Sequence, residues 1–238
     1  MTASKNLLLL SNAGSARGYL ADAIEPIGSM GMAGKTALFI PYAGISRTWD
    51  AYEALVRESL RDTEVDVVSI HRSKDARLAL EQADMVMVGG GNTFNLLLEC
   101  RTRGLLVPLS NRVAGGLPYV GWSAGSLLCC PTIRTTNDMP IVDPQGLDAL
   151  GLLPFQLNCH YTARTVPGHM GESRNQRLDE FMRKNPAMPV LGLPEGNWVR
   201  VHGTDCVMGG KHVGYWFRAP GDVEEISPGP LFYSPADI

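Results

Sequence analysis

Short, nearly unbroken apolar runs recur along the first half of the chain, at Asn6–Leu10, 36–41, 65–70, Met85–Val88 and 119–121. Alternating apolar and polar residues would mark strands with one wet face. Continuous hydrophobicity is what the strands of a parallel sheet need when both faces are covered. Segments with helical spacing lie between these runs. Residues 49–60 set Leu55, Val56 and Leu60 among charged neighbours, and 93–100 form another helical stretch. This βαβ rhythm predicts an α/β fold: a doubly wound, mostly parallel sheet with helices on both faces, as one domain over 1–238. Open sheets of this kind hold their sites in the loops at the carboxyl ends of the strands.

Beyond Cys130 the texture changes. Pro131, Pro140, Pro144, Pro154 and Pro167 interrupt a stretch of weak periodicity, which predicts long ordered loops and short strands over the site edge. A last helix is expected at 172–184, with Leu178, Phe181 and Met182 as its apolar stripe. Strands are expected at Val190–Leu193, 198–201, 205–208 and 213–218, with Gly203 and the Gly209-Gly210 pair supplying turns.

Composition narrows the function classes. The 238 residues are 45% hydrophobic and 19% charged, which fits a globular chain and excludes a disordered one. A net charge of -3 leaves no basic footprint for nucleic acid or an anionic membrane. No apolar run approaches the roughly 18 residues of a membrane span, so a cytoplasmic protein is expected. The cysteines (Cys100, Cys129, Cys130, Cys159 and Cys206) are odd in number and contain no C-x-x-C pair. Neither a disulfide framework nor a zinc ribbon is indicated, and buried, reduced thiols are expected.

The strongest chemical signal is Gly121-Trp122-Ser123-Ala124-Gly125, directly after an apolar strand. It matches the G-x-S-x-G nucleophile elbow, in which a sharp strand-to-helix turn exposes the serine and small neighbours make room for it. A helix starting near Ala124 would aim its free N–H groups at a developing oxyanion. A second turn, Gly89-Gly90-Gly91-Asn92, also follows an apolar strand. It lacks the Lys-Ser/Thr of a P-loop, and its backbone N–H at Gly91 is a candidate second oxyanion donor beside Ala124.

A serine nucleophile needs a base. His160, in Asn158-Cys159-His160-Tyr161, and the nearby His169 both qualify on spacing, whereas His71, His202 and His212 sit in segments that read as solvated. The acid behind the base is expected among Asp138, Asp143 and Glu195, each in a Pro- or Gly-flanked loop.

Together these segments resemble the serine peptidase family of the α-aspartyl dipeptidases, which also includes the cyanophycinases. The likeness rests on Gly89 to Phe94, the elbow, 130–140 with its Thr-Asn-Asp-Met-Pro run, His160, the helix segment Gly171-Glu172 through Arg177, and Leu193-Pro194-Glu195-Gly196-Asn197-Trp198. It implies Ser123 as nucleophile, His160 rather than His169 as base, and both Glu195 and Asp138 as acids credited to the triad. It also implies a flavodoxin-like sheet, similar to the class I glutamine amidotransferases but with Ser in place of their Cys. Cys129 stands where a small residue is usual. Family members act on dipeptides with an amino-terminal aspartate, so the expected partner is a small Asp-X peptide. Arg174 and Arg177, one turn apart, could then face the carboxylate, with Arg174 favoured to pair it, and Asn92 and Glu172 would hold the polar ends. No metal or organic cofactor is implied, and a homodimer follows family habit. Alternatives on the same scaffold are a cyanophycinase-like exopeptidase or esterase, and a non-catalytic small-molecule-binding module.

Overall fold

The computed structural model describes residues 4–31, 33–164, 168 and 170–231. In chain order, β1 (Asn6–Leu10), the hairpin β2 (Gly14–Ser15) and β3 (Gly18–Tyr19), α1 (Ile24–Gly28), β4 (Thr36–Ile40) and α2 (Trp49–Ser59) come first. Next are β5 (Asp66–Ser69), α3 (Ala76–Gln82), β6 (Met85–Val88), α4 (Thr93–Thr102), α5 (Leu106–Ala114), β7 (Tyr119–Trp122) and α6 (Ala124–Leu127). The remainder holds β8 (Gln156–Cys159), α7 (Arg174–Lys184), β9 (Val190–Leu193), β10 (Trp198–His202), β11 (Asp205–Gly209), β12 (Gly214–Ala219), β13 (Asp222–Ile226) and β14 (Gly229–Pro230).

An eight-stranded sheet runs β14-β11-β10-β1-β7-β6-β4-β5. From β1 to β5 every pairing is parallel, and β10, β11 and β14 extend the sheet antiparallel beyond β1. The two faces explain the unbroken apolar runs. Leu7, Leu9, Leu38, Ile40, Val86 and Val88 pack on one side with α3, α4 and α5, while Leu8, Leu10, Phe39, Met85 and Met87 pack on the other with α1 and α2. Successive strand residues point to opposite faces, so a sheet covered on both sides needs every position apolar.

The chain also builds a four-stranded sheet, β13-β12-β9-β8, that the hydrophobic pattern does not announce. Its strand β8 escapes a sequence reading because buried Gln156 and Asn158 alternate with Leu157 and Cys159. Each polar side chain is satisfied internally, Asn158 Nδ2 donating to the Thr135 carbonyl at 2.7 Å and Gln156 pairing with Thr132. Hydrogen bonding of this kind lets polar residues occupy a buried strand. Leu157, Leu191, Leu193 and Trp216 of this second sheet join the same hydrophobic cluster as β1, β4 and β6. All five cysteines are buried and unpaired, with Cys129 and Cys130 packed in that cluster.

Candidate active site

Four strands of the parallel sheet, β1, β4, β6 and β7, end at one edge, and the loops leaving them surround a cleft of about 690 Å³. The strand β7 delivers Ser123 there. This residue has φ 52° and ψ -114°, outside the regions favoured by a side-chain-bearing residue, and α6 begins directly after it. The flanking glycines are dictated by contact. A Cβ on Gly121 would stand 2.5 Å from the Gly125 carbonyl oxygen, and one on Gly125 would stand 2.0 Å from the Val88 oxygen of β6. The turn is therefore clamped between its own helix and the neighbouring strand. Ser126 locks it further, the one proton of its hydroxyl shared between the Leu10 and Gly121 carbonyls, whose oxygens lie 2.7 and 2.9 Å from Oγ.

The base and acid side comes from the second sheet. His160 follows β8 and Glu195 follows β9, and these two strands are parallel, so both side chains leave the same edge. His160 Nε2 lies 2.9 Å from Ser123 Oγ, and Nδ1 lies 2.7 Å from Glu195 Oε1. An ionised carboxylate can only accept, so Nδ1 carries the proton and Nε2 is left free to accept from the serine hydroxyl. Ser11, at the end of β1, joins the two sheets at this point. Its buried hydroxyl donates to the Leu193 carbonyl and accepts from the His160 backbone N–H, both at 2.8 Å. His160 is itself at φ 53°, a conformation this contact helps to hold. Asn12 acts similarly on the acid loop, accepting from Gly196 N at 2.8 Å.

The other expected acids are placed differently. Asp138 Oδ2 accepts from the backbone N–H of Thr93 at 2.7 Å and from the Thr93 hydroxyl, at the amino end of α4. Asp143 accepts from Gln145 N at 2.8 Å and closes a local turn. Neither carboxylate is hydrogen-bonded to His160 among the described residues. His71 is not solvated as its segment suggested. Its side chain is 13% exposed and bridges Ser69 and Asp50. His169, the other candidate base, lies outside the described residues.

The glycine turn lies beside the elbow, as its sequence position suggested. A Cβ on Gly90 would meet Ser123 Cβ at 3.0 Å, and one on Gly91, at φ +142°, would stand 2.1 Å from the Ala43 carbonyl oxygen. Asn92 N donates to that same carbonyl at 2.8 Å. Asn92 lines the cleft, but both ends of its amide are engaged: Oδ1 caps α4 through Asn95 N and Nδ2 donates to the Met139 carbonyl at 2.8 Å. As the first residue of α6, Ala124 has an N–H that no carbonyl of its own helix can reach.

Arg174, Arg177 and Glu172 are not among the residues lining the cleft. Arg174 opens α7 behind a Ser173–Gln176 capping box and donates to Asn158 Oδ1 at 3.5 Å, next to the strand end that carries His160. Burial, reinforced by the charge of Arg177, lowers its guanidinium pKa. Arg177 and Glu172 are exposed and 3.8 Å apart. A guanidinium missed by the motif reading does line the cleft. Arg47, in the loop after β4, stands 5.1 Å from the centre of the Tyr52 ring and makes no hydrogen bond or ion pair among the described residues. Ser11, Asn12, Arg47 and Tyr52 escaped motif matching. The rule that sites gather at the carboxyl ends of parallel strands would have pointed to the first three.

A serine on a strained strand-to-helix elbow, bonded to an imidazole that is backed by a carboxylate at the edge of an α/β sheet, defines a serine hydrolase. The model of peptidase family S51 matches residues 7–208. Peptidase E of Salmonella typhimurium (strain LT2) is 47% identical over 227 residues, covering 95% of this chain and 99% of that protein. The chain belongs to peptidase family S51 and is a serine dipeptidase of that family. Two solved structures share its fold. A peptidase from an acI-B1 Actinobacterium aligns with a TM-score of 0.70 at 13% identity over 98% of both chains. A Listeria monocytogenes EGD-e protein, provisionally assigned as a peptidase E, aligns with a TM-score of 0.64 at 23% identity, over 88% of this chain and all of that one.

Proposed function

We propose that the chain hydrolyses dipeptides with an amino-terminal aspartate through an acyl-enzyme on Ser123. The observation that carries this reading is the unbroken relay from Ser123 Oγ through the His160 ring to Glu195. His160 Nε2 takes the serine proton as Oγ attacks the aspartyl carbonyl. The N–H groups of Gly91 and Ala124 hold the resulting oxyanion. His160 then returns the proton to the departing amine, and the C–N bond breaks to leave an aspartyl ester on Ser123. Water, deprotonated by the same imidazole, attacks that ester and releases aspartate with Ser123 restored. Glu195 fixes the ring tautomer and balances the imidazolium formed in each half-reaction. Asp138 acts as a cap on α4 rather than as the acid of the relay.

The substrate presents two carboxylates. Arg174 receives the aspartyl side chain: its guanidinium is half-buried and without a carboxylate partner among the described residues, so an incoming anion offsets its burial. Arg47 receives the carboxy-terminal carboxylate, which favours dipeptides over longer chains. Asn92 offers the cleft a polar wall. The described residues include no helix long and apolar enough to cross a membrane, and the unpaired buried thiols suit the reducing cytoplasm.

The test is labelling with a fluorophosphonate together with hydrolysis of Asp-Leu, Asn-Leu and Asp-Leu-amide. Wild-type protein is expected to label and to cleave Asp-Leu, and Ser123→Ala to do neither. Arg174→Ala should raise KM for Asp-Leu at least about tenfold and reduce the preference over Asn-Leu. Failure of folded wild type to label, or equal turnover of Asp-Leu and Asn-Leu, would sink the reading.

A further inference from the structure

The hydroxyl of Tyr52 lies beneath the glycine turn, and no step of the reaction described above uses it. Tyr52 sits on α2, across the cleft floor from the elbow, and is 2% exposed. Its oxygen lies 2.9 Å from the Gly90 carbonyl oxygen, 2.9 Å from Tyr19 Oη and 3.0 Å from Trp122 Nε1. A carbonyl can only accept, so the single Tyr52 proton goes to Gly90. The Tyr19 hydroxyl therefore donates to the Tyr52 oxygen, and the single indole N–H of Trp122 is shared between Tyr52 Oη and Tyr19 Oη, the latter nearer at 2.8 Å. Donors converging on a hydroxyl polarise it and strengthen the bond it makes onward. Burial raises the pKa of Tyr52, so the phenol keeps the proton it donates.

The Gly90 carbonyl and the Gly91 N–H belong to one peptide unit. The described residues contain no cis peptide bond, and in a trans peptide the two groups point in opposite directions. Pinning the oxygen to Tyr52 fixes the N–H on the opposite side of the peptide from the Tyr52 hydroxyl, and Gly91 and Ser123 line the same cleft. The turn needs such a pin. Three consecutive glycines give it wide conformational freedom, and Gly91 occupies φ +142°, where the Ala43 carbonyl leaves no room for a Cβ. Gly89 is fitted to the same ring, since a Cβ there would lie 2.7 Å from Tyr52 Oη.

We infer that Tyr52 is a positioning residue that aims the Gly91 N–H into the oxyanion site, with Tyr19 and Trp122 polarising its hydroxyl. Trp122 immediately precedes Ser123, so one hydrogen-bonded cluster sets the nucleophile's strand and the oxyanion donor in register. The inference rests on the proposed acyl-enzyme at Ser123.

Tyr52→Phe isolates the hydroxyl, because the ring that fills the floor and stacks under Arg47 remains. The expected result in the full-length protein is a fall in kcat of about tenfold or more on Asp-Leu, with KM within about twofold of wild type. The rate of fluorophosphonate labelling should fall in parallel, since that adduct also places an oxygen in the oxyanion site. Loss of thermal stability with kcat intact would overturn the proposal, as would equal changes in KM and kcat. If Tyr52→Phe does not fold, Tyr19→Phe carries the test. It removes one donor to the Tyr52 oxygen and should lower kcat about two- to threefold, and an unchanged kcat overturns the idea. Wild type that neither labels nor cleaves removes the Ser123 reading and this inference together, whereas an active wild type with an equally active Tyr52→Phe removes only the inference.

Discussion

Ser123 and His160 both hold positive φ angles, 52° and 53°, at the ends of strands from different sheets. Each conformation costs on the order of 1–3 kcal/mol and persists only because neighbouring groups over-determine it. For Ser123 the clamp is Gly121, Gly125 and the Ser126 hydroxyl; for His160 it is Ser11. The same scale separates two carboxylates that the motifs could not rank. Glu195 bonds the imidazole, while Asp138 bonds the first backbone N–H of α4. Glu195→Gln is expected to reduce kcat about 10⁴-fold with folding intact. Asp138→Ala should cost about 1–2 kcal/mol of stability and no more than about tenfold in kcat. Steady-state kinetics and thermal melts on the two variants distinguish the roles.

The element that ties the cleft floor to the sheet is α2. Glu53 on this helix is 1% exposed, although the surrounding charge pattern would put it outside. Its carboxylate receives hydrogen bonds from Arg57, Arg72 and the backbone N–H of Ser69 at the end of β5, and so fixes the helix that carries Tyr52. Burial alone would push this carboxyl up. The hydrogen bonds from Arg72 and Ser69 and the charges of Arg72 and Arg57 outweigh it and leave the pKa lowered. A carboxyl lowered on folding stabilises the protein fully above its unfolded value, and that contribution fades as pH falls through the folded one. Urea denaturation of Glu53→Gln should show a deficit of about 2 kcal/mol at pH 7, discounted from the range for a broken buried pair because both arginines are half-exposed. That deficit should shrink below about pH 4. A deficit independent of pH would assign the loss to packing.

At the scale of the molecule the relay spans two sheets: Ser123 and Gly91 leave the large one, His160 and Glu195 the small one. The hydrophobic cluster that includes Leu7 and Val88 also includes Leu157, Leu191 and Trp216, and Trp216 meets Phe155 edge-on at 5.1 Å. A shared core predicts one cooperative unfolding transition for the whole chain. Trp216→Ala, which leaves a cavity where the sheets meet, should cost about 3–5 kcal/mol. It should also shift far-UV ellipticity and Ser123 labelling competence in urea by the same amount. Two separate transitions would mean that the sheets fold as independent units.

The chain's local chemistry was sufficient to specify the parallel strands, the elbow at Ser123 and the glycine turn, and it narrowed the base to His160 or His169, between which the family resemblance chose. Unbroken apolar runs and close-contact glycines are each enforced by neighbours within a few residues or on the next strand. Local sequence could not supply the second sheet, whose strand β8 hides behind buried Gln156 and Asn158. Nor could it supply the choice of Glu195 over Asp138, the buried Glu53, or the Tyr52 hydroxyl under Gly90. Each of these depends on a partner distant in sequence, 35 residues away for Glu195 and His160, 38 for Tyr52 and Gly90, and 149 for Ser11 and His160. Hydrogen bonds act over about 3 Å whatever the separation along the chain, so only the folded chain decides which donor meets which acceptor.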